Sequence, residues 1–91
     1  MGLPYGKNIQ FTRLIKTEGK IREFNFRRAG YHEDIYFSVD VNDDRGNRII
    51  FTMKKQNETW SIEQPLRPLP VWIAKVEQQL NESIEQELKV G

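Results

Sequence analysis

Apolar and polar residues alternate with a period of two through the middle of this chain, and the last quarter repeats its apolar residues every three or four positions. The period-two pattern is cleanest in Ile35–Val41. Ile35, Phe37, Val39 and Val41 point one way, and Tyr36, Ser38 and Asp40 the other. Three further segments read as strands: Ile21–Arg28 with Phe24 and Phe26 on one face, Arg48–Lys55 with Ile49, Phe51 and Met53, and Thr59–Glu63 with Trp60 and Ile62. The connections Ala29–Asp34, Asn42–Asn47 and Gln56–Glu58 are short. Parallel neighbours need crossovers of roughly a dozen residues, so residues 20–63 are expected to form an antiparallel meander.

Before the meander, residues 1–8 carry Gly2, Pro4 and Gly6 and read as a loose lead-in. Ile9–Lys16 fits two patterns: Ile9 and Phe11 alternate as in a strand, whereas Phe11, Leu14 and Ile15 share a helical face. It is therefore either a short helix or an extra strand, followed by a turn at Thr17–Lys20 in which Gly19 is free to take positive φ. Residues 64–70 (QPLRPLP) form a connector, because Pro65, Pro68 and Pro70 remove three backbone donors. From Val71 to Leu88, Ile73, Val76, Leu80, Ile84 and Leu88 make one apolar stripe opposite Lys75, Gln78, Asn81, Glu82, Glu85 and Gln86. The expected fold is α+β: a four-stranded antiparallel meander packed on one face by a single C-terminal amphipathic helix, in one domain over residues 1–91. Such a helix is about 27 Å long, and four strands make a sheet about 15–20 Å wide. A helix crossing the strands steeply would overhang and leave Ile84 and Leu88 for a second copy, which raises homodimerisation through the C-terminal helix.

Composition narrows the function classes. Lysine and arginine number 14 and acidic residues 13, for a formal net charge of +1. A dedicated duplex-DNA binder shows a clear basic excess, so any nucleic-acid role must rest on a local patch. There is no cysteine, which removes disulfides, thiolate metal sites and thiol catalysis. The apolar runs are too short for a signal peptide or a membrane span, and a cytoplasmic protein is expected.

No motif carries catalytic chemistry. The loop from Asp40 to Gly46 has oxygen ligands at alternate positions, but a calcium loop needs glycine sixth and a bidentate glutamate twelfth. Arg45 and Phe51 stand there. His32 is the single histidine, beside Glu33 and Asp34 on a loop where nothing orients it as a base. Ser38 and Ser61 lie outside any nucleophile-elbow pattern, and the six glycines form no phosphate loop. Pro65-Leu66-Arg67-Pro68 has the P-x-x-P form, within a segment that already joins the last strand to the helix. No catalytic residue, cofactor or metal is expected.

The meander gathers charge instead. Arg27, Arg28, His32, Lys54 and Lys55 fall at one end of the sheet, diluted by Glu33, Asp34 and Glu58. Asp40, Asp43, Asp44 and Glu63 fall at the other, offset by Arg45 and Arg48. Tyr36 and Ile50 lie on the face away from the helix, near Arg27 and Lys54. An aromatic among cations on an open sheet is how single-stranded nucleic acid is stacked and held. The same arrangement suits a solvated face that meets a protein partner.

The order of four strands and a helix over Ile21–Leu88 resembles the Pur-type repeat and the Whirly-type modules, and Phe37–Phe51 (FSVDVNDDRGNRIIF) is similar to a Pur hairpin. That resemblance implies single-stranded nucleic acid binding by a dimer. From the residues themselves, such binding would fall to Arg27, Tyr36 and Lys54, with Arg28 and Lys55 on phosphate. The reading that the residues themselves favour is a small non-enzymatic interaction module, with self or another protein as partner.

Overall fold

The computed structural model describes residues 9–31, 34–63 and 67–90. The lead-in over residues 1–8, His32 with Glu33, and residues 64–66 of the connector with Pro65 lie outside the described residues. The elements are β1 (Gln10–Thr17), β2 (Lys20–Tyr31), β3 (Asp34–Asn42), β4 (Arg48–Gln56), β5 (Thr59–Ile62), α1 (Val71–Ala74) and α2 (Glu77–Val90). The strands form one antiparallel sheet in sequence order, β1-β2-β3-β4-β5. The α+β meander with a C-terminal helix is therefore present, with five strands rather than four.

The fifth strand is β1, which settles the two patterns open to Ile9–Lys16. It pairs with β2 along its whole length, from Gln10 opposite Arg27 to Thr17 opposite Lys20. Between the last pair, Glu18 and Gly19 both take positive φ, at 53° and 80°. That is the turn whose twist matches two strands of a tight hairpin. Once the strand is fixed, Phe11 and Ile15 fall on the core side and Leu14 on the other, which a helix would not have separated. Phe11 stacks on Phe26 across the pair, ring centroids 4.5 Å apart.

The core occupies one side of the sheet. Phe24, Phe26, Phe37, Val39, Val41, Phe51, Met53 and Trp60 are buried there, against Ile73, Val76, Leu80 and Ile84 from the helical segment. An aromatic row crosses it, with Phe37 at 6.0 Å from Phe11 and 5.1 Å from Trp60, both edge-on. The helix α2 touches both outermost strands, β1 and β5. Flat, those strands would stand about 19 Å apart, and a helix is about 10 Å across. The sheet must curl around the helix for one helix to reach both edges.

Specific bonds fix that position. Arg13 of β1 pairs with Glu87 at 3.1 Å, and the Thr17 hydroxyl donates to the Trp72 carbonyl at 2.7 Å. On the far side, the outward backbone N–H of Trp60 donates to Asn81 Oδ1 at 2.8 Å and that of Ile62 to Glu77 Oε2 at 2.7 Å. Two strand residues rise about 6.7 Å and four helical residues about 6 Å. The i,i+4 pair Glu77 and Asn81 therefore matches successive donors of β5 and closes an edge that would otherwise invite pairing. Glu77→Ala leaves the Ile62 N–H without its partner. Its expected cost is about 1–3 kcal/mol by urea denaturation, with Glu77→Gln retaining most of the stability.

The helix is not the single Val71–Leu88 rod expected. It divides at Lys75-Val76, where Val76 N–H bonds to the Ile73 carbonyl three residues back, at 3.1 Å, before Leu80 N–H resumes the four-residue step to Val76. Val71, Ile73 and Val76 are β-branched and lower helix propensity where the turn tightens. Ile84, expected to overhang, is fully buried by this chain's own sheet, because α2 runs within the curl rather than across it. Only Leu88, 38% exposed, remains of the apolar stripe.

Candidate functional site

Strand alternation puts one set of side chains on the outer, convex face of the sheet: Thr12, Leu14 and Lys16 from β1, Ile21, Glu23, Asn25 and Arg27 from β2, Tyr36, Ser38 and Asp40 from β3, and Arg48, Ile50, Thr52 and Lys54 from β4. A hydrogen-bonded row crosses its middle. The Thr12 hydroxyl donates to Asn25 Oδ1 at 2.7 Å, Asn25 Nδ2 to Asp40 Oδ1 at 3.0 Å, and an Arg48 guanidinium N–H to Asp40 Oδ2 at 3.1 Å. Each exposed polar group in the row is matched by its cross-strand neighbour, which stiffens the face and fixes its register.

The five residues expected to bind divide between two faces. Tyr36 and Lys54 are directly opposite each other on β3 and β4, and Arg27 is the diagonal neighbour of Tyr36 through its own partner Ser38. These three form one cluster on the convex face. Arg28 pairs with Phe37, and Lys55 pairs with Trp60 and holds its ammonium 6.0 Å from that ring. Period two sends both to the helix side. Adjacent residues on a strand cannot serve the same face, so Arg28 and Lys55 do not extend the Arg27–Tyr36–Lys54 cluster. Lys54 is also shared between Asp34 at 3.4 Å and Glu63 at 3.8 Å.

The electrostatics of the convex face are balanced. Among the described residues, Lys16, Arg27, Arg48 and Lys54 stand there against Glu23, Asp34, Asp40 and Glu63. Three aliphatic side chains lie among them: Leu14 is 67% exposed, Ile21 69% and Ile50 59%. Leu14 and Ile21 are diagonal neighbours across β1 and β2, so they make one patch. Neither had stood out in the sequence. The signal that finds Leu14 is the assignment of β1 as a strand, since alternation then places it opposite Ile15.

Arg22 is the other residue the sequence did not single out, although it alternates with Phe24 and Phe26. It is only 8% exposed. Its guanidinium lies 3.9 Å from the Trp72 ring centre and 3.1 Å from Asp44. It bolts the β3–β4 loop and α1 onto β2. The loop is held by carboxylates. Asp43 accepts N–H bonds from Arg45 and Asn47, and the Asn47 N–H does most to hold its pKa below the ordinary carboxylate value of 3.8. Lys20, then Arg22, do the same for Asp44. A carboxyl whose folded pKa is depressed stabilises the fold above its unfolded value and loses that contribution as pH falls through the folded one. Stability should therefore decline as pH drops below about 4. Followed by circular dichroism, Asp43→Ala and Asp44→Ala should each flatten that decline.

Among the described residues, no cluster of three or more histidine, aspartate or glutamate side chains is placed to hold a metal ion, and no helix is long and apolar enough to cross a membrane. Compared with known proteins, the chain matches no family model, no curated protein and no solved structure.

Proposed function

We propose that this protein is a small non-enzymatic interaction module that holds another protein against the convex face of its sheet. The observation that carries this reading is the pairing, on one stiff surface, of three exposed aliphatic side chains (Leu14, Ile21 and Ile50) with equal numbers of acidic and basic groups. Apolar anchors inside a balanced polar rim suit a protein surface. Nucleic acid is instead attracted by an excess of cations, whose contacts release counterions. The second reading, single-stranded nucleic acid on Arg27, Tyr36 and Lys54, keeps its aromatic but shares Lys54 with two carboxylates. Homodimerisation through α2 keeps, among the described side chains, only Leu88 as an exposed large apolar contact.

A photoreactive residue at Tyr36 or Ile50, installed in the native cell, tests the proposal against a control at Gln78 on the exposed side of α2. The expected result is a discrete, protease-sensitive adduct from both sheet positions and none from Gln78. A nuclease-sensitive adduct, together with oligonucleotide polarisation at about 50 mM salt that falls steeply as salt rises, would transfer the face to nucleic acid. An adduct from Gln78 alone would contradict both readings.

A further inference from the structure

Two aliphatic side chains occupy the β1–β2 corner of the convex face. Leu14 and Ile21 are the most exposed large apolar residues among those described. Their cross-strand partners are both charged: Leu14 faces Glu23, and Ile21 faces Lys16. The four side chains therefore mark a rectangle about 5 Å by 7 Å, with the aliphatics on one diagonal and the charges on the other. Elsewhere on this face, Asp34, Asp40, Arg48, Lys54 and Glu63 are in ion pairs within the chain. Among the described residues, Lys16 and Glu23 make none, neither with each other nor with another element.

That pattern is its own complement. A two-fold axis lying in the face along the Leu14–Ile21 diagonal sets each aliphatic side chain on its counterpart in a second copy. It also brings each Lys16 over the partner's Glu23, with an offset of about 3 Å that a lysine stem spans. The other two-folds in the plane of these four residues fail. Along the second diagonal, Lys16 meets Lys16 and Glu23 meets Glu23. Along or across the strands, each aliphatic meets a charge. A partner of one charge sign meets a like charge at either Lys16 or Glu23. The sheet curls, so Ile50, two strands further round, turns away from such a contact.

We propose that the β1–β2 corner of the convex face is a self-association surface, on which a second copy of this chain docks through Leu14 and Ile21 and exchanges two Lys16–Glu23 ion pairs. Convex meets convex only over this corner. The interface therefore belongs to the size class below about 1,200 Å² in total, which gives transient complexes, and the dimer forms at high micromolar concentration. The ion pairs set the orientation and exclude the wrong ones, while the aliphatic side chains supply the burial. The inference goes beyond the convex-face reading. It gives Leu14 and Ile21 to the second copy and leaves Tyr36 and Ile50, on β3 and β4, to the other protein.

Sedimentation equilibrium of the whole chain, at about 0.15 M salt so that remote charges are screened, tests it. The parent should fit a monomer–dimer equilibrium. Lys16→Glu and Glu23→Lys should each weaken dimerisation roughly tenfold or more, because like charges then face each other. Mixed in equal amounts, the two variants should recover it as a heterodimer in which both ion pairs re-form with their signs exchanged. A misfolded variant would not give that recovery. Arg45→Glu and Glu82→Lys change charge as much at exposed positions on the β3–β4 loop and α2, and should dimerise like the parent. The proposal is overturned if the parent stays monomeric at about 1 mM, if either charge variant dimerises like the parent, or if the mixture fails to recover. Loss of the dimer on Leu88→Ser but not on Leu14→Ser also overturns it. The adducts at Tyr36 and Ile50 are scored separately. Their absence beside an intact dimer overturns the convex-face reading alone, and their presence beside a monomeric parent overturns the dimer alone.

Discussion

Replacing Phe37 by alanine is expected to cost about 3–5 kcal/mol. The side chain is fully buried near the centre of the sheet, edge-on to both Phe11 and Trp60. It thus ties β1, β3 and β5 into one aromatic row, and deletion removes both the transfer free energy of the ring and the packing of two neighbours that cannot close the gap. Domains of this size have roughly 5–15 kcal/mol in total, so the variant should melt far below the parent or fail to fold. Tyr36→Ala, one residue along and on the outer face, should cost much less. Equal losses in urea denaturation would mean that the outer face is as covered as the inner one.

Gly30→Ala should be nearly as damaging, at about 2–5 kcal/mol. Gly30 lies in β2 opposite Ile35 with φ at 95°, a conformation that side-chain-bearing residues rarely adopt. A Cβ built there would collide with the backbone carbonyl oxygen of Asp34, and a backbone atom of the partner strand cannot swing aside as a flexible side chain can. Relief requires β2 and β3 to separate where neither has a further neighbour: β1 begins opposite Arg27, and β4 ends its pairing at Tyr36. The strain should stay local. Hydrogen exchange should accelerate at Ala29 and Ile35 in the variant, with the Val39–Phe51 pairing unchanged.

Much of this fold can be read from alternation. Ile35, Phe37, Val39 and Val41 needed only the period of two to be placed on one face, and Phe24 with Phe26, Phe51 with Met53, and Trp60 followed by the same argument. Ile9–Lys16 was ambiguous because Ile9 and Phe11 keep the period of two whereas Phe11, Leu14 and Ile15 keep the helical one. The hairpin with β2, a long-range pairing, decided between them. The division of the helix at Lys75-Val76 was hidden because its apolar stripe keeps the same spacing across the break. The candidate site was less legible. Grouping Arg28 with Arg27 and Lys55 with Lys54 rested on nearness to one end of the sheet, and alternation parts each pair. Asp34 was expected near Lys54, but Glu63 was assigned to the other end of the sheet, and only the β4–β5 register brings it to Lys54 as well.

The account rests on a sheet wrapped around its helix on one side and open on the other. The chain has no cysteine of its own, so single thiols can report on each face directly. Ile50→Cys and Phe51→Cys are adjacent on β4, at 59% and 3% exposure. With the purified protein under native conditions, the thiol at position 50 should be alkylated at close to the rate of a free peptide thiol. The thiol at position 51 should react only through unfolding, orders of magnitude more slowly. Equal protection at both positions, or rapid reaction at position 51, would contradict it.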